Sequence, residues 1–95
     1  MKIEDWRRNI DDIDEKLVEL LNERFRCAVE IGRIKHDLKM AVQDPERERE
    51  VIRKICQHNQ GPLDDQALQR LFELVFDESR RIERIASEGG KQEMG

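Results

Sequence analysis

Residues 3–38 read IEDWRRNIDDIDEKLVELLNERFRCAVEIGRIKHDL. Ile3, Trp6, Ile10, Ile13, Leu17, Leu20, Arg24, Cys27, Ile31, Ile34 and Leu38 recur at alternating steps of three and four. That is the seam of a helix that packs along one side, in the manner of a coiled coil. No proline interrupts residues 1–44, and the lone Gly32 is tolerable inside a helix. The spacing predicts one helix from about residue 4 to about residue 38, roughly 50 Å long at 1.5 Å per residue. A compact chain of 95 residues has a radius of gyration of roughly 12 Å and spans about 30 Å. The helix outruns its own domain, so part of the seam meets water unless a second chain covers it. Length alone predicts a homodimer.

The rest of the chain divides at clear signals. KMAVQ (39–43) breaks the pattern and reads as a loop. Asp44 is a good N-cap and Pro45 suits the first helical position, which predicts a second helix from 45 to about 58 with Val51, Ile52 and Ile55 on its apolar face. Gly61-Pro62 punctuates HNQGPL (58–63) as a turn. Asp64 or Asp65 then caps a third helix running to about 87, with the stripe Leu68, Leu71, Phe72, Val75, Ser79, Ile82, Ile85 and Ala86. The polar end SEGGKQEMG suggests a single domain over 1–88 and a frayed, flexible tail over 89–95. There are no strand signals and no repeats, so the predicted class is all-α, with one long, one short and one medium helix.

Composition excludes several functions. Charged residues make up 42% and hydrophobic ones 37%, and 22 acids outnumber 18 bases for a net charge of −4. That balance argues against nucleic acid as the main partner, because a phosphate backbone wants a basic face. No apolar run approaches the length of a membrane span, and MKIEDWRRN lacks the core of a signal peptide, so the expected location is cytoplasmic. Cys27 and Cys56 form no CxxC pair, and neither His36 nor His58 stands at metal-ligand spacing from them. They read as buried or half-buried free thiols, with no metal site.

Three polar interruptions set the sequence apart from a plain bundle. Arg24 sits in the seam, and Lys35 follows eleven residues later, about three turns on and some 16 Å along the axis, so both point the same way. Ser79 interrupts the third stripe, and Glu83 is one turn further. Glu48 borders the apolar face of the second helix, with Arg47 beside it and Asp44 one turn back. Unpaired buried charge costs several kcal/mol per ion, which leaves two readings. Either Glu48 and Glu83 neutralise Arg24 and Lys35 and fix helix register, or an anionic small molecule sits among the helices, where bundles place their ligand sites. Spacing alone does not choose between them. Arg7 lies about 25 Å before Arg24 and a quarter turn off its face. It cannot reach such a pocket in its own chain, but the first turns of an antiparallel partner can.

These words, WRRNIDDIDEKLVELLNER, AVEIGRIK, DPEREREV, GPLDDQALQRLF and DESRRIE, stand in an order and spacing that resembles the all-helical (AroQ-class) chorismate mutases, including those fused to prephenate dehydratase. The match covers about residues 6–83. The resemblance implies an intertwined six-helix homodimer with two equivalent sites, each completed by an arginine of the other chain. It implies an isomerase of the shikimate route to phenylalanine and tyrosine, which turns chorismate into prephenate by a Claisen rearrangement without cofactor or covalent intermediate. Such a reaction needs cations for two carboxylates, a donor at the ether oxygen and walls that enforce the folded conformer.

By resemblance, Arg24 and the partner's Arg7 bind carboxylates, and Lys35 contacts a carboxylate and the ether oxygen. Arg47 and Ser79 contact the substrate or position its carboxylates. Glu48 accepts from the ring hydroxyl, Asp44 lies near that hydroxyl, and Ile31, Val75 and Phe76 are walls. Glu83 stands where some members carry glutamine. A glutamine amide donates at any pH and a carboxyl group only when protonated, which implies turnover that falls as Glu83 ionises. Arg7, Arg24, Lys35 and Glu83 form the expected catalytic set. Trp6 and Phe25 read as packing residues, ERERE as a solvated face, and Arg80 and Arg81 as facing solvent, although Arg80 lies next to an expected wall. Two rivals share the pattern: an isochorismate pyruvate lyase on the same scaffold, and a non-catalytic dimerisation module in which the charges form a structural network.

Overall fold

The computed structural model describes residues 1–88, and the predicted tail at 89–95 lies outside the described residues. Three helices follow one another: α1 (Ile3–Asp37), α2 (Pro45–His58) and α3 (Asp65–Ser87). No strand occurs among the described residues. The helix boundaries fall within about one residue of those expected, because each has a local chemical cause. Asp44 Oδ1 accepts from the Arg47 N–H at 3.1 Å, with Pro45 opening α2. Asp64 Oδ1 accepts from the Ala67 N–H at 2.7 Å and starts α3. The turn before it is held by Asn59, whose Nδ2 donates to Leu63 O at 2.7 Å and to Asp65 Oδ1 at 3.0 Å. Gly61 supplies the left-handed φ of 75° at that turn.

The end of α1 has no glycine, yet it closes in a Schellman arrangement. Met40 N–H donates to Lys35 O at 2.8 Å and Lys39 N–H to His36 O at 3.1 Å, while Lys39 takes φ 57°. A lysine thus fills the left-handed position usually given to glycine.

α3 is the central element; α1 packs along it, and α2 lies against it over a shorter stretch. Ala28 and Gly32 of α1 meet Phe76, Ser79, Ile82 and Ala86 of α3 as the buried set. The crossing is close at Gly32, where a Cβ would stand 2.6 Å from Glu83 O and 2.8 Å from Glu83 Cα. Only glycine fits there, which explains a residue that sequence reading could merely tolerate.

The molecule measures 54 × 31 × 15 Å, with a radius of gyration of 16.3 Å, well above the roughly 12 Å of a compact chain this size. α1 alone sets the long dimension. Its first half stands clear of the other helices: Trp6 is 56% exposed, Ile13 54% and Leu20 60%. Ile3, Ile10 and Leu17 continue the same apolar stripe. Full burial of such a side chain is worth about 1.5–3 kcal/mol, so the stripe leaves a large hydrophobic gain unrealised within one chain. Cys27 is exposed in the chain and Cys56 half-buried, both as free thiols. The expectation of burial fails for Cys27 because its stretch of the seam opens into a cleft.

Candidate active site

The C-terminal half of α1, the first turns of α2 and the second half of α3 enclose a cleft of about 430 Å³, within the usual size of small-ligand sites. Arg24, Ile31 and Lys35 enter it from α1. Asp44, Arg47 and Glu48 enter at the start of α2, and Phe76, Ser79 and Glu83 from α3. Nine of the residues singled out in the sequence thus share one cavity. Cys27 and Val42 also line it. No helix among the described residues is long and apolar enough to cross a membrane. No cluster of three or more His, Cys, Asp or Glu side chains among them is placed to hold a metal ion.

Lys35 is firmly fixed. Its Nζ donates to Glu83 Oε1 at 2.8 Å and to the loop carbonyl of Val42 at 2.8 Å. The Lys35 and Glu83 side chains are each 12% exposed. An ammonium has three donors, so one remains for a ligand oxygen. Glu83 is the counter-ion of Lys35 in this chain, and Glu48 is engaged elsewhere. Each of the two glutamates thus faces its own cation, Glu83 facing Lys35 and Glu48 facing Arg80.

Arg24 has a different environment. Its Nη1 donates to Ser79 Oγ at 2.7 Å, and its Cζ lies 5.9 Å from the Phe76 ring centroid, a cation–π contact. Among the described residues no carboxylate forms an ion pair with it. Burial, followed by the positive charge of Arg47, pushes the guanidinium below its ordinary range, and Glu83 offsets this only in part. Arg47 itself pairs with Glu50 on the exposed side of α2. Of the two readings left open by spacing, the internal network therefore holds for Lys35 and fails for Arg24.

Two placements differ from expectation, those of Val75 and Arg80. Val75 is half-buried and does not line the cleft. Phe76 and Glu83, seven residues apart, lie within about 20° of each other around the helix, whereas Val75 is turned about 80° from Glu83. Arg7 lies in the first turns of α1, outside this chain's cleft. Arg80 does not face open solvent: it lines the cleft and forms ion pairs with Glu48 of α2 and Asp77 of its own helix. The hydrogen bond to Glu48 holds its guanidinium above the ordinary range. The signal for Arg80 was present in the sequence, since it follows Phe76 by four residues and precedes Glu83 by three. Arg81, off that stripe, pairs with Glu78 and is exposed as expected.

The cleft carries four cationic and three anionic side chains in a chain of net charge −4. The cleft thus has a local positive excess around a partly desolvated arginine, with apolar walls, on an all-helical scaffold. The chorismate mutase type II family profile matches residues 6–84, and the chain belongs to that family, a class of isomerases. Its curated relatives include the bifunctional chorismate mutase/prephenate dehydratase of Pseudomonas aeruginosa, 39% identical over 83 residues, which cover 82% of this chain and 23% of that protein. They also include the chorismate mutase of Methanocaldococcus jannaschii, 31% identical over 87 residues, covering 87% of this chain and 85% of that one. The chain thus spans less than a quarter of the bifunctional relative and most of the single-function one. Among solved structures it resembles the chorismate mutase from Helicobacter pylori in complex with prephenate. There the TM-score is 0.83 at 29% identity, with 92% of this chain and 94% of that one covered.

Proposed function

We propose that the cleft binds chorismate as a dianion and accelerates its rearrangement to prephenate. Arg24 without a carboxylate partner, in one cleft with Lys35 and Arg47, is the observation that carries this reading. In the rearrangement a C–O bond of the enolpyruvyl ether breaks and a C–C bond to the ring forms within one molecule, so neither redox partner nor cofactor enters. Arg24 and Arg47 hold carboxylates. Lys35 directs its remaining N–H toward a carboxylate and the ether oxygen, where negative charge gathers in the transition state, and a fixed donor at that position stabilises it without reorganisation. Glu83 is the second group at the ether oxygen. Ile31 and Phe76 confine the folded conformer, Ser79 orients Arg24, and Glu48 accepts from the ring hydroxyl near Asp44.

The bare stripe of α1 supports a homodimer, in which the partner's α1 covers Ile10, Ile13, Leu17 and Leu20 and the partner's Arg7 enters the cleft. We place residues 1–88 as the mutase unit of a cytoplasmic enzyme in the route to phenylalanine and tyrosine, without a nucleic-acid or membrane partner. Loss of chorismate absorbance with purified protein tests the activity, and sedimentation tests the dimer. Prephenate as product supports the reading. Pyruvate plus salicylate from isochorismate, with no turnover of chorismate, supports the lyase instead.

A further inference from the structure

We infer that Arg80 is a positioning residue, which holds the Glu48 carboxylate in the orientation that recognises the ring hydroxyl of the substrate. The proposal rests on the reading of Glu48 given above. Arg80 and Glu48 are 32 residues apart, on α3 and α2, and both line the cleft. α2 is less extensively packed than α1, so a polar tie at its first turns has a large share in fixing its side chains over the cavity. Arg80 is itself anchored: Nη2 donates to Asp77 Oδ1 on its own helix, while Nη1 donates to Glu48 Oε2. The planar guanidinium thereby transmits the orientation of α3 to the Glu48 side chain.

The contact reaches only one Glu48 oxygen. Oε1 has no hydrogen bond among the described residues, and the side chain is 29% exposed. A carboxylate pinned at one oxygen and free at the other is a fixed single acceptor, suited to one hydroxyl. A site built around such an acceptor discriminates against an analogue lacking that hydroxyl, because the acceptor is then desolvated and unpaired. Arg80 also neutralises Glu48, whose charge opposes entry of a dianion. That second effect acts on every dianionic substrate alike, so the two roles separate experimentally.

The test compares kcat/KM for chorismate and for its analogue lacking the ring hydroxyl in five proteins: wild type, Glu48→Ala, Arg80→Met, Arg80→Lys and the Glu48→Ala/Arg80→Met double variant. Met keeps the apolar stem and Lys keeps the charge. The expected result is a wild-type preference for chorismate that Glu48→Ala abolishes and Arg80→Met reduces roughly tenfold. Arg80→Lys retains part of it, and Arg80→Met has no further effect on preference in the Glu48→Ala background. A preference unchanged in Arg80→Met, with both substrates slowed equally, overturns the proposal while leaving the Glu48 reading intact. A preference that survives Glu48→Ala overturns both. Failure of both Arg80 variants to fold, judged by thermal melts, overturns the positioning role in favour of a purely structural one.

Discussion

Gly32 and Glu83 meet backbone to backbone: a Cβ on Gly32 would lie 2.6 Å from Glu83 O. One turn further along α1, Lys35 reaches the Glu83 side chain at 2.8 Å. The close crossing and the ion pair are two consequences of one missing side chain. Gly32→Ala gains about 1 kcal/mol in helix propensity but must displace main chain, and overpacking of this kind costs about 1–3 kcal/mol. The net expectation is a destabilisation of up to about 2 kcal/mol, several degrees in Tm for a domain of this size. Catalytic efficiency should fall as the α1 and α3 groups separate. Melts and steady-state kinetics on the one variant check both.

Arg24→Ala should separate activity from stability. Burial and Arg47 disfavour the charged form of Arg24 in the fold, so its removal relieves a cost instead of breaking an ion pair. The variant also gives up the hydrogen bond to the buried Ser79 and the contact with Phe76, so the melting temperature is expected to stay close to that of the wild type, while kcat/KM falls by about two to three orders of magnitude, the usual scale for a lost charge contact in a transition state. A variant that unfolds while its residual folded fraction keeps full activity would establish the structural-network alternative.

The origin of Arg7 can be read by mixing. Arg7→Ala and Arg24→Ala chains should each be nearly inactive alone. If Arg7 is lent across a symmetric dimer, a heterodimer of the two has one intact site and one doubly defective site. An equimolar mixture, after subunit exchange, should regain about a quarter of wild-type activity. No regain after exchange, verified by tagged chains, would place Arg7 outside the partner's site.

Glu83→Gln addresses the donor at the ether oxygen. An amide N–H donates at every pH, whereas the carboxyl group donates only in its protonated form. Glu83 is the counter-ion of Lys35, 2.8 Å from its Nζ, so the variant trades that charge for a donor, and Glu83→Gln should keep or raise kcat for chorismate. A loss of more than about tenfold with an unchanged melting temperature would place the contribution of Glu83 in its charge on Lys35 and remove hydrogen donation at this position from the mechanism.

Much of this was legible in the sequence because it rests on local chemistry. An unbroken three-four seam makes α1; Asp44-Pro45 and the turn ending at Asp64 start the other helices. Arg24 stood out because it interrupts an apolar line, and Lys35 because eleven residues return a helix to the same face. The individual roles came from resemblance, not spacing. What escaped was set by tertiary geometry. The difference between Val75 and Phe76 is one step of helix rotation, which an apolar stripe of this width does not resolve; Arg80 was overlooked although its spacing from Phe76 and Glu83 put it on the cleft side. The left-handed Lys39 carries no glycine to announce it, and Gly32 has a purpose only once Glu83 is seen against it.

The ammonium of Lys35 already grips both Val42 O and Glu83 before any guest arrives. The α1–α2 connection is thus moored by the same side chain that would greet the substrate, and a free third hydrogen lets it do so without casting off. Amide exchange across residues 38–44 should accordingly change little when an anionic ligand is added, and the segment should behave as a fixed wall rather than a door.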